Sequence, residues 1–442
     1  MRQWVAWLVT GFVLVVPASG QAGEDAERVV PLVDHHQHLL SPQGAEMINA
    51  APEPAQPLPA DITGLLERRA AGWDRAEALA PLFVADALAF NQFENEYVRG
   101  REAVSAFLST LFARAYRFTP TAFTTDRNDA RIYGYYSRDT EEGVRHFGHF
   151  TLDLVRLPEG WRIAAEQGLF PGPEADNPIT AESMIASLDE AGIDKAVVLS
   201  IAYWFDAPDQ PDTPQNFARV KAENDWTLAE ARQFPDTLVP FCSVNPLRSH
   251  AVAELERCRA MGVRGLKLHF ANSEVDLTNP AHTERVETLF ATASRLRLPI
   301  VVHTRDGDDF GREETSILLE RILLAAPGIA VQIAHLWGGG AYSGEALAAF
   351  AEAFAEGRPV TRNLYFDLTD AAFGAAHSEE RAAEIAAHMR TIGLDRMFYG
   401  SDAAIEGHGD AAASWEFFRE TMPLTGEEIR TIAANVAPYL GD

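Results

Sequence analysis

From Ile179 to the C-terminus the chain repeats one pattern, a short β-branched, apolar run that ends in polar residues and is followed by an amphipathic segment. The runs are KAVVLS, LVPFCSVNP, VRGLKLHF, PIVVHTRD, IAVQIAHLWGG, NLYFDLTDA and RMFYGSDA. Between them stand helical patterns such as ITAESMIASLDEAGI, SHAVAELERCRAMG, HTERVETLFATASRLR and EETSILLERILLAAP. Runs this apolar suit parallel strands covered by helices on both faces, and most run-to-run spacings, at about 30 residues, are those of βα units. Seven units follow Ile179, and PLVDHHQHLL supplies an eighth strand ahead of them. Eight such units predict an α/β fold, a (β/α)8 TIM barrel. An open doubly wound sheet would alternate in the same way, but no glycine fingerprint follows the first strand.

The rhythm breaks after the first strand. DITGLLERRAAGWDRAEALAPLFVADALAF reads as two helices and GREAVSAFLSTLFARAY as a third, and ARIYGYYSRD, RHFGHFTLDLVRL and GWRIAAEQGLF read as antiparallel strands. Helices followed by a run of strands form an α+β pattern. We therefore expect a small domain at 59–171 inserted in a barrel loop, with the barrel taking 29–48 and 178–442. The flanks NAAPEPAQPLPA and FPGPEADNP have the Pro- and Ala-rich composition of linkers.

A length of 442 residues leaves room for a large domain and a smaller one. The formal net charge of -27 argues against nucleic acid as a partner, because phosphate binding needs clustered Lys and Arg. The opening MRQWVAWLVTGFVLVVPASGQAG carries Arg2, an apolar run from Trp4 to Val16, Pro17 and then small residues. That is the layout of a secretory signal peptide over 1–22, and the run is shorter than the roughly 20 residues of a membrane span. The expected product is periplasmic or secreted, with no integral membrane segment after processing; an uncleaved anchor is the alternative. Cys242 and Cys258 are the two cysteines, neither in a CxxC pair, so a disulfide is permitted but no disulfide scaffold or zinc finger is indicated.

Active sites of such barrels are built at the carboxyl ends of the strands. Read in order, those ends offer His36 and His38, Lys267 and His269, His303, His335, and Asp402. In an extended chain Asp34, His36 and His38 share one face and His35 and Gln37 the other. Two imidazoles on one edge are a natural start for a metal site, although a histidine-rich polar loop fits the same five residues. Asp34 reads as a structural carboxylate and His35 as a packed or hydrogen-bonded histidine. Arg305, Asp306, Trp337 and His408 sit just beyond strand ends, where a substrate contact or mere proximity both fit. His250, His282, His377 and His388 fall in helical or loop patterns and read as solvated or capping residues.

The order HxH on the first strand, His on the fifth, His on the sixth and Asp in YGSDA on the eighth resembles the amidohydrolase superfamily. The likeness is to the amidohydrolase-related branch that also holds decarboxylases, and GVRGLKLHF and IAANVAPYLGD are similar to that branch too. The resemblance implies that His36, His38, His303 and Asp402 hold one divalent metal, zinc in the first place and manganese as the alternative. It places His335 beside the attacking water or the substrate oxygen. Such an ion brings the pKa of water down to about 7, Asp402 can serve as general base and then acid, and His335 can stabilise an oxyanion. In two-metal relatives a carboxylated lysine bridges the ions; the single-metal branch is the closer match, so Lys267 is expected to line the site, with His269, Arg305 and Trp337 as substrate contacts.

GWDRAEALAPLFVADA, VRGREAVSAFL and GWRI resemble the SnoaL-like, nuclear-transport-factor-2-like cone. In this cone His146 and His149 share a strand, with Tyr133, Tyr135 and Tyr136 nearby, where aromatic core and binding box both fit. A lid over the barrel mouth or a homodimer contact is expected ahead of independent catalysis. The leading functional reading is a metal-dependent hydrolase of a small-molecule lactone, amide or ester. The runner-up is a metal-dependent non-oxidative decarboxylase of an aromatic or enoic acid, with Arg305 suited to the carboxylate. The non-enzyme alternative is an exported binding protein that uses the cone.

Overall fold

The computed structural model describes residues 29–49, 57–91, 96–112, 115–140, 143–169, 178–208, 210–305, 307–376, 378–402 and 411–441. The expected signal segment 1–22, most of both linkers, Asp306, His377, His408 and the side chain of His146 lie outside the described residues.

Fourteen described strands form two sheets. They are β1 Val33–Gln37, β2 Phe83–Asn91, β3 Glu96–Arg99, β4 Arg117–Asp126, β5 Asp129–Thr140, β6 Gly143–Leu157, β7 Gly160–Leu169 and β8 Lys195–Leu199. The remainder are β9 Leu238–Ser243, β10 Gly265–His269, β11 Ile300–His303, β12 Val331–Ile333, β13 Leu364–Asp367 and β14 Met397–Phe398. The first sheet runs β1-β8-β9-β10-β11-β12-β13-β14, parallel throughout. Its two ends meet, since His35 N donates to Tyr399 O and Asp402 N to His36 O, each at 2.8 Å. The result is the eight-stranded parallel sheet, nearly closed as a barrel, that the βα rhythm predicts.

Alternation along the strands sorts side chains into an inner and an outer layer. Val197, Leu199, Phe241, Val301 and Ala334 form one small cluster inside the barrel, with Tyr439 and Leu440 packed against it. Their strand neighbours Ala196, Val198, Cys242, Ile300, Val302 and Ile333 belong to the large outer core beneath the helices. By the same parity Lys267 and His269 join the inner face of β10, whose Gly265 leaves the room that the Phe241 ring fills: a Cβ there would lie 2.2 Å from it. The surrounding helices start where the sequence supplies caps. Thr180 accepts from Ser183 N, Thr213 from Asn216 N ahead of Pro214, Asn279 from Ala281 N ahead of Pro280, and Ser378 from Arg381 N.

The second sheet, β3-β2-β7-β6-β5-β4, falls in sequence between β1 and β8. Helices Ala60–Ala71 and Arg101–Thr110 pack Ile62, Leu65, Leu66, Val104 and Leu108 onto Phe83, Ile132, Phe150, Leu152 and Ile163. One expectation needs correction here. PLFVADALAF reads as helix from its alanines, but Phe83–Asn91 is a strand, paired with β3 on one side and β7 on the other. The α-helix gives way to a single 3-10 turn, Ala80–Leu82, around Pro81, and beyond it two rows of ladder hydrogen bonds outweigh alanine's helical preference.

The second sheet docks on loops and helices at the carboxyl ends of β11 to β14. Arg381 makes two bonds to Asp129, at 3.0 and 2.8 Å, Arg127 pairs with Glu345, and the Tyr97 ring stacks on Phe417 at 4.2 Å. Arg131, buried, reaches Asp370 at 2.7 Å. No described helix is long and apolar enough to cross a membrane.

Candidate metal centre

Both imidazoles of the HxH motif are anchored through Nδ1. His36 Nδ1 donates to Asp367 Oδ2 at 3.0 Å and His38 Nδ1 to the carbonyl of Leu199 at 2.7 Å. Fixing the proton on Nδ1 turns the Nε2 lone pairs inward. There Asp402 stands 3.7 Å from His36 Nε2 and 3.6 Å from His38 Nε2. The ligand atoms of His36, His38 and Asp402 all lie within 4.8 Å of one another, and all three side chains are buried. Burial, with Lys267 nearby, pushes the His36 imidazole down to about 3, and burial holds His38 well below the ordinary range. Both are therefore neutral near pH 7, as ligands must be.

Three more strand-end residues surround this trio. Lys267, fully buried, lies 3.1 Å from His36 Nε2. His303 stacks on His269 at 3.8 Å and meets His335 edge-on at 4.5 Å. Its nitrogens do not join the 4.8 Å grouping. Strict alternation from Ala334 would send His335 into the outer core, but His335 and Leu336 both have left-handed backbones, φ 55° and 61°. The left-handed turn breaks the alternation and swings the His335 ring to 5.2 Å from His36, with Nε2 4.0 Å from Asp402. Asp370 and Asp402 share that conformation, at φ 61° and 50°. Four non-glycine residues so held cost roughly 1–2 kcal/mol each, and such strain concentrates at functional sites. Gly338 must stay small, because a Cβ there would lie 2.1 Å from Thr304 Oγ1.

Two carboxylates that sequence reasoning missed organise these rings. Asp367, on β13, accepts from His36 Nδ1, from Gln332 Nε2 at 2.8 Å and from the backbone N–H of His335 at 2.9 Å. Although burial opposes it, His36 and these bonds hold its carboxyl well below the usual range. Asp370 accepts from His335 Nδ1 at 3.1 Å. Burial alone would lower the His335 pKa, but the bond and charge of Asp370, with Asp367 and Asp402, outweigh it and raise it. The signal for both was the segment FDLTD at the end of the seventh barrel strand.

The remaining candidates divide. Asp34 bonds Ser401 Oγ at 2.6 Å and Gln37 Nε2 at 3.0 Å, which ties β1 to β14. Arg305 is held by Asp309 at 2.6 Å. Trp337 is buried against Tyr342 and Gly374, and its Nε1 meets no acceptor among the described residues. His269 accepts from Asn272 N at 3.1 Å and faces Tyr203 at 4.8 Å. His250 pairs with Asp206 at 2.8 Å. In the second sheet Tyr136 belongs to the core, bonding Glu166 at 3.1 Å, and Tyr135 lies against His149.

His35 donates from Nδ1 to Tyr399 O at 3.0 Å, accepts at Nε2 from Ala437 N at 3.1 Å, and stacks on Phe398. Burial holds its imidazole down at about 4, against 6.5 when exposed. As pH falls through that window the unfolded chain takes up a proton that the folded chain refuses. Stability present above pH 6.5 is therefore lost toward pH 4, on the order of 3 kcal/mol. Asp34, pushed up to about 6 by burial, gains its proton first in the folded state and offsets part of this loss. His35→Gln is expected to flatten the fall in Tm between pH 6.5 and 4; an unchanged slope contradicts the assignment.

The donor set fits a divalent ion: two imidazole nitrogens and a carboxylate converge, and the buried His335 Nε2 beside them has no hydrogen-bond partner among the described residues. A family model described as Amidohydrolase, of the amidohydrolase-2 branch, matches residues 202–435, more than half of the chain. The chain belongs to the amidohydrolase family. The matched span includes Lys267, His303, His335 and Asp402 of this amidohydrolase and excludes His36 and His38. No curated protein matches the chain significantly. Among solved structures, the amidohydrolase is similar to 2,6-dihydroxybenzoate decarboxylase from Rhizobium, with 14% identity, 57% of this chain and 85% of that one covered, and a TM-score of 0.39. It is also similar to 5-carboxyvanillate decarboxylase from Sphingomonas paucimobilis, with 13% identity, coverage of 56% and 79%, and a TM-score of 0.41. An NTF2-type protein, Rd1NTF2_05, matches 24% of the chain over 92% of its own length, with 16% identity and a TM-score of 0.21.

Proposed function

We propose that this amidohydrolase is an exported metal-dependent hydrolase of a small carbonyl substrate, a lactone, amide or ester. The barrel would take 29–48 and 178–442, and the inserted cone 59–171. One divalent ion, zinc ahead of manganese, would be held by His36, His38, His303 and Asp402. The observation that carries the reading is the inward convergence of His36 Nε2, His38 Nε2 and the Asp402 carboxylate, each imidazole fixed from behind.

When bound, the ion supplies a Lewis acid for the carbonyl and makes water more acidic. Asp402 accepts the proton of the attacking water and returns it to the leaving group. His335, anchored at Nδ1 by Asp370, would donate from a protonated Nε2 to the carbonyl oxygen as negative charge gathers there. Burial of the whole cluster excludes bulk water and strengthens each of these interactions. Lys267, His269 and Trp337 would line the substrate side.

Decarboxylation is the second reading, and Lys267, a fully buried lysine beside His36, is what favours it. Arg305 serves it less well, because Asp309 holds its guanidinium. A screen of lactones, esters and amides for acid or amine release, run beside aromatic and enoic acids with bicarbonate detection, separates the two. Hydrolytic turnover without carbon dioxide is expected; carbon dioxide release without hydrolysis would overturn the hydrolase.

A further inference from the structure

Arg131 projects from β5 of the second sheet and is almost fully buried. Its Nε and Nη2 bond both oxygens of Asp153, at 2.6 and 3.0 Å, and this two-pronged grip fixes the plane of the guanidinium. The remaining prong, Nη1, crosses to the barrel and donates to Asp370 Oδ2 at 2.7 Å. That same oxygen receives Nδ1 of His335 at 3.1 Å. The order Asp153, Arg131, Asp370, His335 thus runs without a gap from the second sheet to the strand-end histidine beside Asp402.

We propose that Arg131 is a positioning residue for His335, so that the second sheet completes the barrel's reaction centre and is not only a cover over it. The inference rests on the reading that His335 works on the substrate. Its physical basis is the shared oxygen. Asp370 sits in a left-handed turn after β13, and its Oδ2 takes both Nη1 of Arg131 and Nδ1 of His335. Arg131 supplies a short charge-assisted bond that fixes this oxygen, and the oxygen fixes the Nδ1 side of the imidazole. With that side held, Nε2 points at Asp402 and the HxH pair. Without Arg131 the carboxylate would turn in its pocket and take the ring with it.

Arg381 offers a control on the same interface. It joins the two sheets' units through Asp129, with two bonds of like length, yet touches neither Asp370 nor His335 in these contacts. The experiment compares Arg131→Gln, Arg131→Lys and Arg381→Gln as full-length, metal-loaded proteins. The readouts are kcat and KM, metal content, Tm, and the Nδ1 proton of His335 in a 15N-histidine spectrum, assigned by its absence from His335→Asn. For Arg131→Gln we expect kcat to fall about 10- to 100-fold, the loss typical of a partner that orients a reactive group. KM and metal content stay near the unaltered values, and the His335 Nδ1 proton shifts or exchanges away. Arg131→Lys recovers part of both signals, and it carries the test if the Gln variant does not fold. Arg381→Gln lowers Tm but leaves kcat and the His335 proton in place. Equal losses in Arg131→Gln and Arg381→Gln, or an undisturbed His335 proton in every Arg131 variant, overturn the proposal. If no substrate turns over, the proposed hydrolase fails, and the His335 proton still decides the positioning role.

Discussion

Asp402→Asn is expected to lower kcat by about 100- to 10,000-fold, the range that a lost general base produces. Asparagine keeps the shape of the side chain and, being buried among His36, His38 and His335, has little freedom to refold around them. What disappears is the negative charge and the site that takes up water's proton. Tm of the metal-free protein should change little while turnover collapses, because the substitution leaves in place the backbone bond from Asp402 N to His36 O that helps close the barrel. A variant within threefold of normal activity would remove Asp402 from the chemistry and leave it a structural carboxylate.

Asp367→Ala is expected to weaken metal affinity by about 10- to 100-fold, as loss of a ligand's supporting carboxylate does. It should also destabilise the fold, by about 1–3 kcal/mol for each buried donor left without an acceptor. Three donors lose their acceptor together: His36 Nδ1, Gln332 Nε2 and the His335 N–H. Metal titration followed calorimetrically measures the first effect, and denaturant unfolding of the metal-free protein measures the second. Asp367→Asn, which preserves an acceptor oxygen, should lie between; an alanine variant that binds metal normally would contradict the role assigned to Asp367.

How far the sequence reveals this site can be traced residue by residue. His36, His38, His303, His335 and Asp402 were legible because each ends an apolar run, and a barrel gathers strand ends in one place. The orientation of His335 was not, since it depends on two consecutive left-handed residues that override strand alternation. Asp367 and Asp370 were passed over because FDLTD, read alone, looks like an ordinary strand end leading into a turn. Arg131 lay further out of reach: its partner is 239 residues away, on the other sheet. Phe83–Asn91 departs from its expected helix for a related reason, as its alanines favour helix locally and its strand state comes from neighbours distant in sequence. Local pattern thus carried the barrel and its strand-end residues, and long-range pairing carried what supports them.

Metal content tests the proposed centre most directly. Purified protein, loaded and then dialysed, should retain about one equivalent of zinc or manganese by elemental analysis, as a site with three or four N/O ligands does. The His36→Ala, His38→Ala double variant should retain none while remaining folded. About one equivalent, lost in that variant, is the predicted result; no retained metal in the unaltered protein, or equal metal in both proteins, would contradict it.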